Sequence, residues 1–269
     1  MQLIIPACNE ERRLPATLRA LRAYALSTGT VPRPPLEVLV VDNGSTDRTA
    51  EVAASLDSPA MRVRVLHCAE PGKGAAVRAG IAAATSDVVG FMDADGATDL
   101  AAFEAAAVRL AAGADVVIGS RAAEGAETEA RHTRLRSVGA GAYRRAAAVL
   151  VPGIADTQCG FKIFRGDLAR DVFAATETAG FSFDVEVLAR CLDLRARVEE
   201  IPVVWTDVPG STFSPLRHGL RSFADLLAIG WRLRRRPTVA TRPTPLRPGL
   251  PPEVSRELAE PGLRLVGER

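Results

Sequence analysis

Val88-Val89-Gly90-Phe91-Met92-Asp93-Ala94-Asp95-Gly96 is the stretch on which the fold turns. Its apolar run is far too short to cross a bilayer and reads as a strand buried on both faces, the kind found inside a parallel sheet. Two aspartates separated by one small residue follow at once, where that strand reaches its carboxyl end. Carboxylates in such a place can share a divalent cation, and Mg²⁺ or Mn²⁺ then completes its shell with water and substrate phosphates. On an ordinary surface turn the same Asp-x-Asp would be a solvated bend, so its neighbours decide between the two readings.

Those neighbours repeat one pattern. Strands are expected over residues 3–6, 38–42, 62–67, 88–93 and 116–119. Helices are expected over 11–26, 47–56, 73–85 and 100–111, with Pro15 tolerated only near the start of the first. Four successive β/α units predict an α/β fold, a mostly parallel central sheet flanked by helices. Ligands of such sheets sit at the carboxyl ends of the strands. Polar residues collect there: Asn9 and Glu10, then Asp42, then Asp93 and Asp95.

The rest of the chain reads as an elaboration of the same domain, residues 1–214. It has a basic helix at 133–150, a Gly/aromatic stretch at 156–164, a helix near 183–192 and a strand at 198–205. Residues 215–236 interleave Leu216, Leu220, Phe223, Leu226, Leu227, Ile229 and Trp231 with arginines, a basic amphipathic helix. Seven prolines then mark 237–269 as a tail.

Composition narrows the classes. At 47% hydrophobic and 25% charged, with a net charge of +2, the 269 residues exclude collagen, wholesale disorder and disulfide scaffolds. Cys8, Cys68, Cys159 and Cys191 form no C-x-x-C pair and read as reduced thiols, and no apolar run reaches the roughly 18 residues of a transmembrane span. A cytoplasmic protein is expected, touching the cytoplasmic membrane face peripherally through 215–236. The arginine-rich end lacks any nucleic-acid recognition motif, so nucleic acid is not an expected partner.

Two further motifs surround the expected strand ends. Asp42-Asn43-Gly44-Ser45-Thr46-Asp47 combines an Asn-Gly turn with cap residues for the next helix, while Asp42, on the strand end itself, can accept hydrogen bonds from a base or ribose. Glu70-Pro71-Gly72-Lys73-Gly74 opens a helix with glycines that allow close backbone approach and a lysine that supplies positive charge. It is not a P-loop, and no G-x-G-x-x-G follows the first strand, so ATPase and dinucleotide dehydrogenase readings lose their support.

Taken in order, Ile4-Ile5-Pro6-Ala7-Cys8-Asn9-Glu10-Glu11, Val40 to Asp47, Gly72-Lys73-Gly74, Asp93-Ala94-Asp95-Gly96 and Gly119-Ser120-Arg121 closely resemble the GT-A glycosyltransferases of family 2. Within that family the chain looks most like the dolichyl-phosphate β-glucosyltransferases and their prokaryotic polyprenyl-phosphate relatives. Asp93 to Thr98, Asp156-Thr157-Gln158-Cys159-Gly160-Phe161-Lys162 and Phe183 to Leu188 carry that likeness. The resemblance implies a GT-A fold and inverting transfer of a sugar, glucose from UDP-glucose, to a polyprenyl phosphate, assisted by Mg²⁺ or Mn²⁺. It places Pro6, Ala7, Asn9, Glu10, Asp42, Lys73, Asp93 and Ala94 around the nucleotide, with Asp95 as principal metal ligand beside Asp93. Arg121, Arg131, Arg134 and Arg136 would hold the acceptor phosphate, which a guanidinium fork suits. Catalytic roles fall to Asp95, Arg121 and Asp184.

An acceptor phosphate is already an anionic nucleophile. A hydroxyl acceptor would instead need a base, and Asp184 is preferred to Glu186, which lies two residues on and off its helical face. The chain departs from the family in having no N-terminal membrane helix and in reading Gly210-Ser211-Thr212 where several relatives follow Gly-Ser with lysine. Alternatives are the same donor chemistry on a soluble small molecule, and a non-catalytic sugar-nucleotide-binding protein.

Overall fold

The computed structural model describes residues 1–27, 36–129, 134–208 and 215–235. In chain order the elements are β1 (Gln2–Ala7), α1 (Leu14–Leu26), β2 (Glu37–Asp42), α2 (Thr49–Ala54), β3 (Arg62–His67), α3 (Lys73–Ala83), β4 (Val88–Met92), α4 (Ala102–Ala111), β5 (Val116–Ser120), β6 (Glu127–Glu129), α5 (Arg134–Leu150), β7 (Phe161–Arg165), α6 (Gly166–Ala175), α7 (Phe183–Asp193), β8 (Val198–Pro202), β9 (Val204–Thr206) and α8 (Pro215–Arg235). A seven-stranded sheet runs β3-β2-β1-β4-β7-β5-β8, and β6 pairs with β9 in a small second sheet. All pairs in the large sheet are parallel except those of β7, which is antiparallel to both β4 and β5.

Alternation within the strands builds two cores. Ile4, Leu39 and Val41 point to one face, where α3, α5, α6, α7 and α8 pack. Leu3, Ile5, Val38 and Val40 point to the other, under α1, α2 and α4. A strand apolar on both sides is therefore what this sheet demands, as the run 88–92 predicted.

Three expectations change. The stretch 156–164 contains part of the central strand β7, whose Phe161-Lys162-Ile163-Phe164-Arg165 is buried throughout. Its two cations hide the apolar pattern, and both find carboxylates: Lys162 meets Asp184, and Arg165 meets Asp115 and Asp167. The strand expected over 198–205 is interrupted at Val203, so β8 stays in the main sheet while β9 crosses to β6. The first two helices begin later than expected because 8–13 and 43–48 form the polar loops of the site. The tail 237–269 lies outside the described residues.

Candidate active site

The chain runs outward from β1 through β2 to β3 and then returns to β4 on the other side of β1. In open sheets of this kind the ligand crevice lies where the strand order reverses, here outside the carboxyl ends of β1 and β4. Pro6 and Ala7 close β1 and Asp42 closes β2, paired in register with Ala7. Asn9 turns the chain with φ 58°, a left-handed conformation that asparagine tolerates better than most residues. Its Oδ1 accepts the Thr46 N–H at 2.8 Å and its own N–H donates to Ser45 Oγ at 3.0 Å, which locks the first loop to the second. Asp42 accepts the Ser45 N–H at 3.2 Å and lies 3.1 Å from His67 Nδ1. Asp47, one residue before Arg48 at the N-cap of α2, accepts the Thr49 N–H at 3.0 Å and the Glu11 N–H at 3.1 Å, so it ties the second loop to the first as well as to the helix start.

The glycines of the third loop do admit a close backbone, that of the protein itself. A Cβ on Gly72 would fall 2.2 Å from the Ala179 carbonyl oxygen, and one on Gly74 2.5 Å from that of Thr178. The N–H groups of Gly74 and Ala75 both donate to the Ala179 carbonyl. Close approach is to the protein's own 177–180 segment, and the first amides of α3 are already capped. What the loop offers the crevice is Lys73, whose Nζ meets Asp93 Oδ1 at 2.5 Å. Burial pulls the Lys73 ammonium down, but Asp93, Asp184 and Asp95 more than restore it, so the side chain stays charged.

Asp93 donates its N–H to the Gly160 carbonyl at 3.0 Å, and a Cβ on Gly160 would fall 2.0 Å from Asp93 Oδ2. Asp95 accepts the Ala97 N–H at 3.1 Å. Burial and then the Asp93 charge push its carboxyl above the ordinary range. Arg13 approaches from the start of α1: it grips Glu10 through Nε and Nη2 at 2.8 and 2.5 Å, while Nη1, buried and without a hydrogen-bond partner among the described residues, lies 4.0 Å from Asp95 Oδ2. Among the described residues no three His, Cys, Asp or Glu side chains form a ready-made metal cage. Two crowded carboxylates fit a hard cation that draws its remaining ligands from a diphosphate, the donor set Mg²⁺ and Mn²⁺ accept.

Past β5, Arg121 closes a two-pronged ion pair on Asp156 and stacks over the Trp205 ring at 5.4 Å. Trp205 is thus packed at the rim under a guanidinium. The segment 156–160 spans from Arg121 to Asp93, and on it Thr157 Oγ1 and Gln158 Nε2 are buried without a hydrogen-bond partner among the described residues.

Asp184 and Glu186 enter separate networks, as their spacing required. Asp184 is 2% exposed and accepts from Lys162 Nζ at 2.5 Å. Lys162 also donates to the Cys159 carbonyl and lies 5.2 Å over the Phe91 ring. Burial pushes the Asp184 carboxyl up against the pull of Lys162 and Lys73. Glu186 is structural: it accepts from the Glu177 and Thr178 N–H groups, the Thr178 hydroxyl, Arg190 and Arg232.

The structure thus gathers Ala7, Asn9, Glu10, Asp42, Lys73, Asp93, Ala94 and Asp95 around one crevice. Arg121 borders the 156–160 segment that reaches it. Arg131 lies outside the described residues, as do Gly210, Ser211, Thr212 and Phe213, and of Arg134 and Arg136 only the backbone is described, on the first turn of α5. Arg13, Asp156 and Lys162 are site residues that the sequence alone does not single out. Asp156 and Lys162 both stand in the 156–162 motif, and Arg13 stands three residues after Glu10, one helical turn.

The profile of Glycosyl transferase family 2 matches residues 2–173. The dolichyl-phosphate β-glucosyltransferase of Drosophila melanogaster is 36% identical over 85% of this chain and 74% of its own length. The human enzyme of that name is 32% identical over 87% and 78%. Among solved structures, glucosyl-3-phosphoglycerate synthase from Mycobacterium tuberculosis, in complex with Mn²⁺, UDP and glucosyl-3-phosphoglycerate, superposes with a TM-score of 0.58 at 20% identity over 85% of this chain and 78% of that one. Its GT-A fold is the one seen here.

Proposed function

This chain is a glycosyltransferase of family 2, and we propose that it moves glucose, with inversion, from UDP-glucose to a polyprenyl phosphate. The observation that carries the donor half is the ion pair of Lys73 with Asp93, beside the charge of Asp95, at the reversal of strand order, where open sheets of this kind take their ligands. The acidic lip formed by Asp95 and Asp93 would hold Mg²⁺ or Mn²⁺, which would offset the charge that grows on the leaving diphosphate. Lys73 adds a fixed positive charge beside them. Pro6, Ala7, Asn9, Glu10, Asp42 and Ala94 would shape the pocket for base and ribose.

The relatives' names support the acceptor half. A phosphomonoester brings its own negative charge to the anomeric carbon, so the chain must hold and aim it rather than deprotonate it. That role falls to Arg121, whose ion pair with Asp156 uses Nε and Nη2 and aims the guanidinium, leaving Nη1 for the acceptor phosphate. Arg131, Arg134 and Arg136 are assigned to the same phosphate. Asp184, tied to Lys162, supports the charge of Lys73 in this reading and becomes a base only for a hydroxyl acceptor.

Labelled UDP-glucose, Mn²⁺ and polyprenyl phosphate provide the test. Label should pass to an organic-extractable product. Transfer only to water-soluble metabolites would favour a small-molecule acceptor, and no turnover of any donor would leave only a sugar-nucleotide-binding role. Thermal shift with UDP, GDP and CDP reads the base directly, since preferential stabilisation follows from binding the native state.

A further inference from the structure

α5 and α8 lie side by side and run in the same direction. Tyr143 packs edge-on against Phe223 at 5.7 Å, and seven residues further along each helix a Cβ on Gly230 would meet Leu150 at 3.3 Å. Leu226 and Ile229 of α8, with Ala147 of α5, face the core. The outward side is not polar. Phe223, Leu227 and Trp231 recur every four residues along one stripe of α8, with Leu227 79% and Trp231 56% exposed, and Val149 near the end of α5 is 81% exposed.

Charge on this helix pair is strongly positive. The residues of α5 and α8 include Arg134, Arg136, Arg144, Arg145, Arg217, Arg221, Arg232, Arg234 and Arg235, and the single acid among them is Asp225. Asp225 is partly buried, bonded to Ser182. Among the described side chains, Arg144, Arg145, Arg221, Arg234 and Arg235 are exposed, and Arg235 lies 4.1 Å over the Trp231 ring. A soluble partner would have to bury this stripe and neutralise the arginines at once. A bilayer with anionic headgroups does both, since apolar side chains enter the acyl boundary while arginines stay at headgroup level and a tryptophan sits between.

We propose that the α5–α8 face is a docking surface for an anionic lipid bilayer. It rests on the acceptor reading and deepens it, because a polyprenyl phosphate resides in a membrane. The face is also firmly joined to the crevice. Arg232 of α8 bonds Glu186 and the Thr178 hydroxyl, and the residue after Thr178, Ala179, caps the helix that carries Lys73. No helix among the described residues is long and apolar enough to cross a membrane.

Co-sedimentation of the full chain with acceptor-free vesicles tests the surface separately from the reaction. Vesicles of phosphatidylcholine with about a quarter phosphatidylglycerol should pellet the protein, and pure phosphatidylcholine should not. Arg234→Ala and Arg235→Ala should each weaken partitioning about fivefold, and raising the salt should release the protein. Leu227→Glu with Trp231→Glu should abolish binding with an unchanged melting temperature, because both side chains already face solvent. Equal binding to neutral vesicles, binding untouched by the double variant, or a dimer in light scattering that this variant dissolves without any vesicle binding would each overturn the proposal. Vesicle binding without glucose transfer would instead sink the acceptor reading alone.

Discussion

Arg121 and Asp156 stand 35 residues apart in the chain and meet twice, Nε to Oδ2 at 2.7 Å and Nη2 to Oδ1 at 2.9 Å. Burial alone would push the Asp156 carboxyl up, but the hydrogen bonds and charge of Arg121 hold it at about 2, against an ordinary 3.8. Above about pH 4 the carboxylate is ionised in folded and unfolded chain alike, and the pairing contributes in full. Between about pH 4 and pH 2 the unfolded chain takes up a proton that the folded one resists, and a contribution of about 2 kcal/mol drains away. Asp156→Asn should therefore melt below the wild type at pH 7, and the gap should narrow as pH approaches 2. A gap that is constant with pH would mean the pair is not what stabilises this segment.

Asp95→Ala should leave the fold intact and remove most of the turnover, by about two to three orders of magnitude, since several kcal/mol of charge stabilisation at the leaving group would go with it. The same assay with a chelator should stop the wild type, and Mn²⁺ or Mg²⁺ should restore it. Undiminished activity in the variant would remove the metal assignment.

Gly160→Ala asks whether Asp93 is held in place from behind. The new methyl has no room beside the carboxylate, so Asp93 must shift by about an ångström, and transfer should fall roughly a hundredfold. Steady-state kinetics with a melting curve distinguish this from collapse: the expected loss of stability is about 1–3 kcal/mol.

Lys162 is 0% exposed and its charge is answered by Asp184. Removing one partner leaves a buried charge alone, which costs about 3–5 kcal/mol. Urea denaturation of Lys162→Met and Asp184→Leu should show that loss singly. The double variant should recover much of it, because an apolar pair of similar volume suits the site.

The sheet is legible in the sequence wherever both faces of a strand meet apolar neighbours, as at Ile4, Val40 and Phe91. β7 is concealed because Lys162 and Arg165 read as surface residues when their carboxylates, Asp184 and Asp115, lie 22 and 50 residues away. The same limit hides Arg13, whose claim rests on Asp95 from another strand end. The crevice is visible in outline because its residues follow directly on strands. Gly72 and Gly74 announce a close backbone approach but not its partner, because the backbone they admit, at Thr178 and Ala179, is distant in sequence.

Strand β7 slots antiparallel between β4 and β5, so the chain leaves the sheet after Ser120 and re-enters at Phe161. Arg121 and Asp156 ride on that excursion, which is also tied down along its length, through β6 to β9, through Ala147 and Val151 to the core, and through the Ala155 and Asp156 N–H groups to Glu200. If the acceptor is held there, as proposed, any retargeting of delivery has to respect those tethers, so it would proceed by changing side chains on the excursion rather than by swapping it whole.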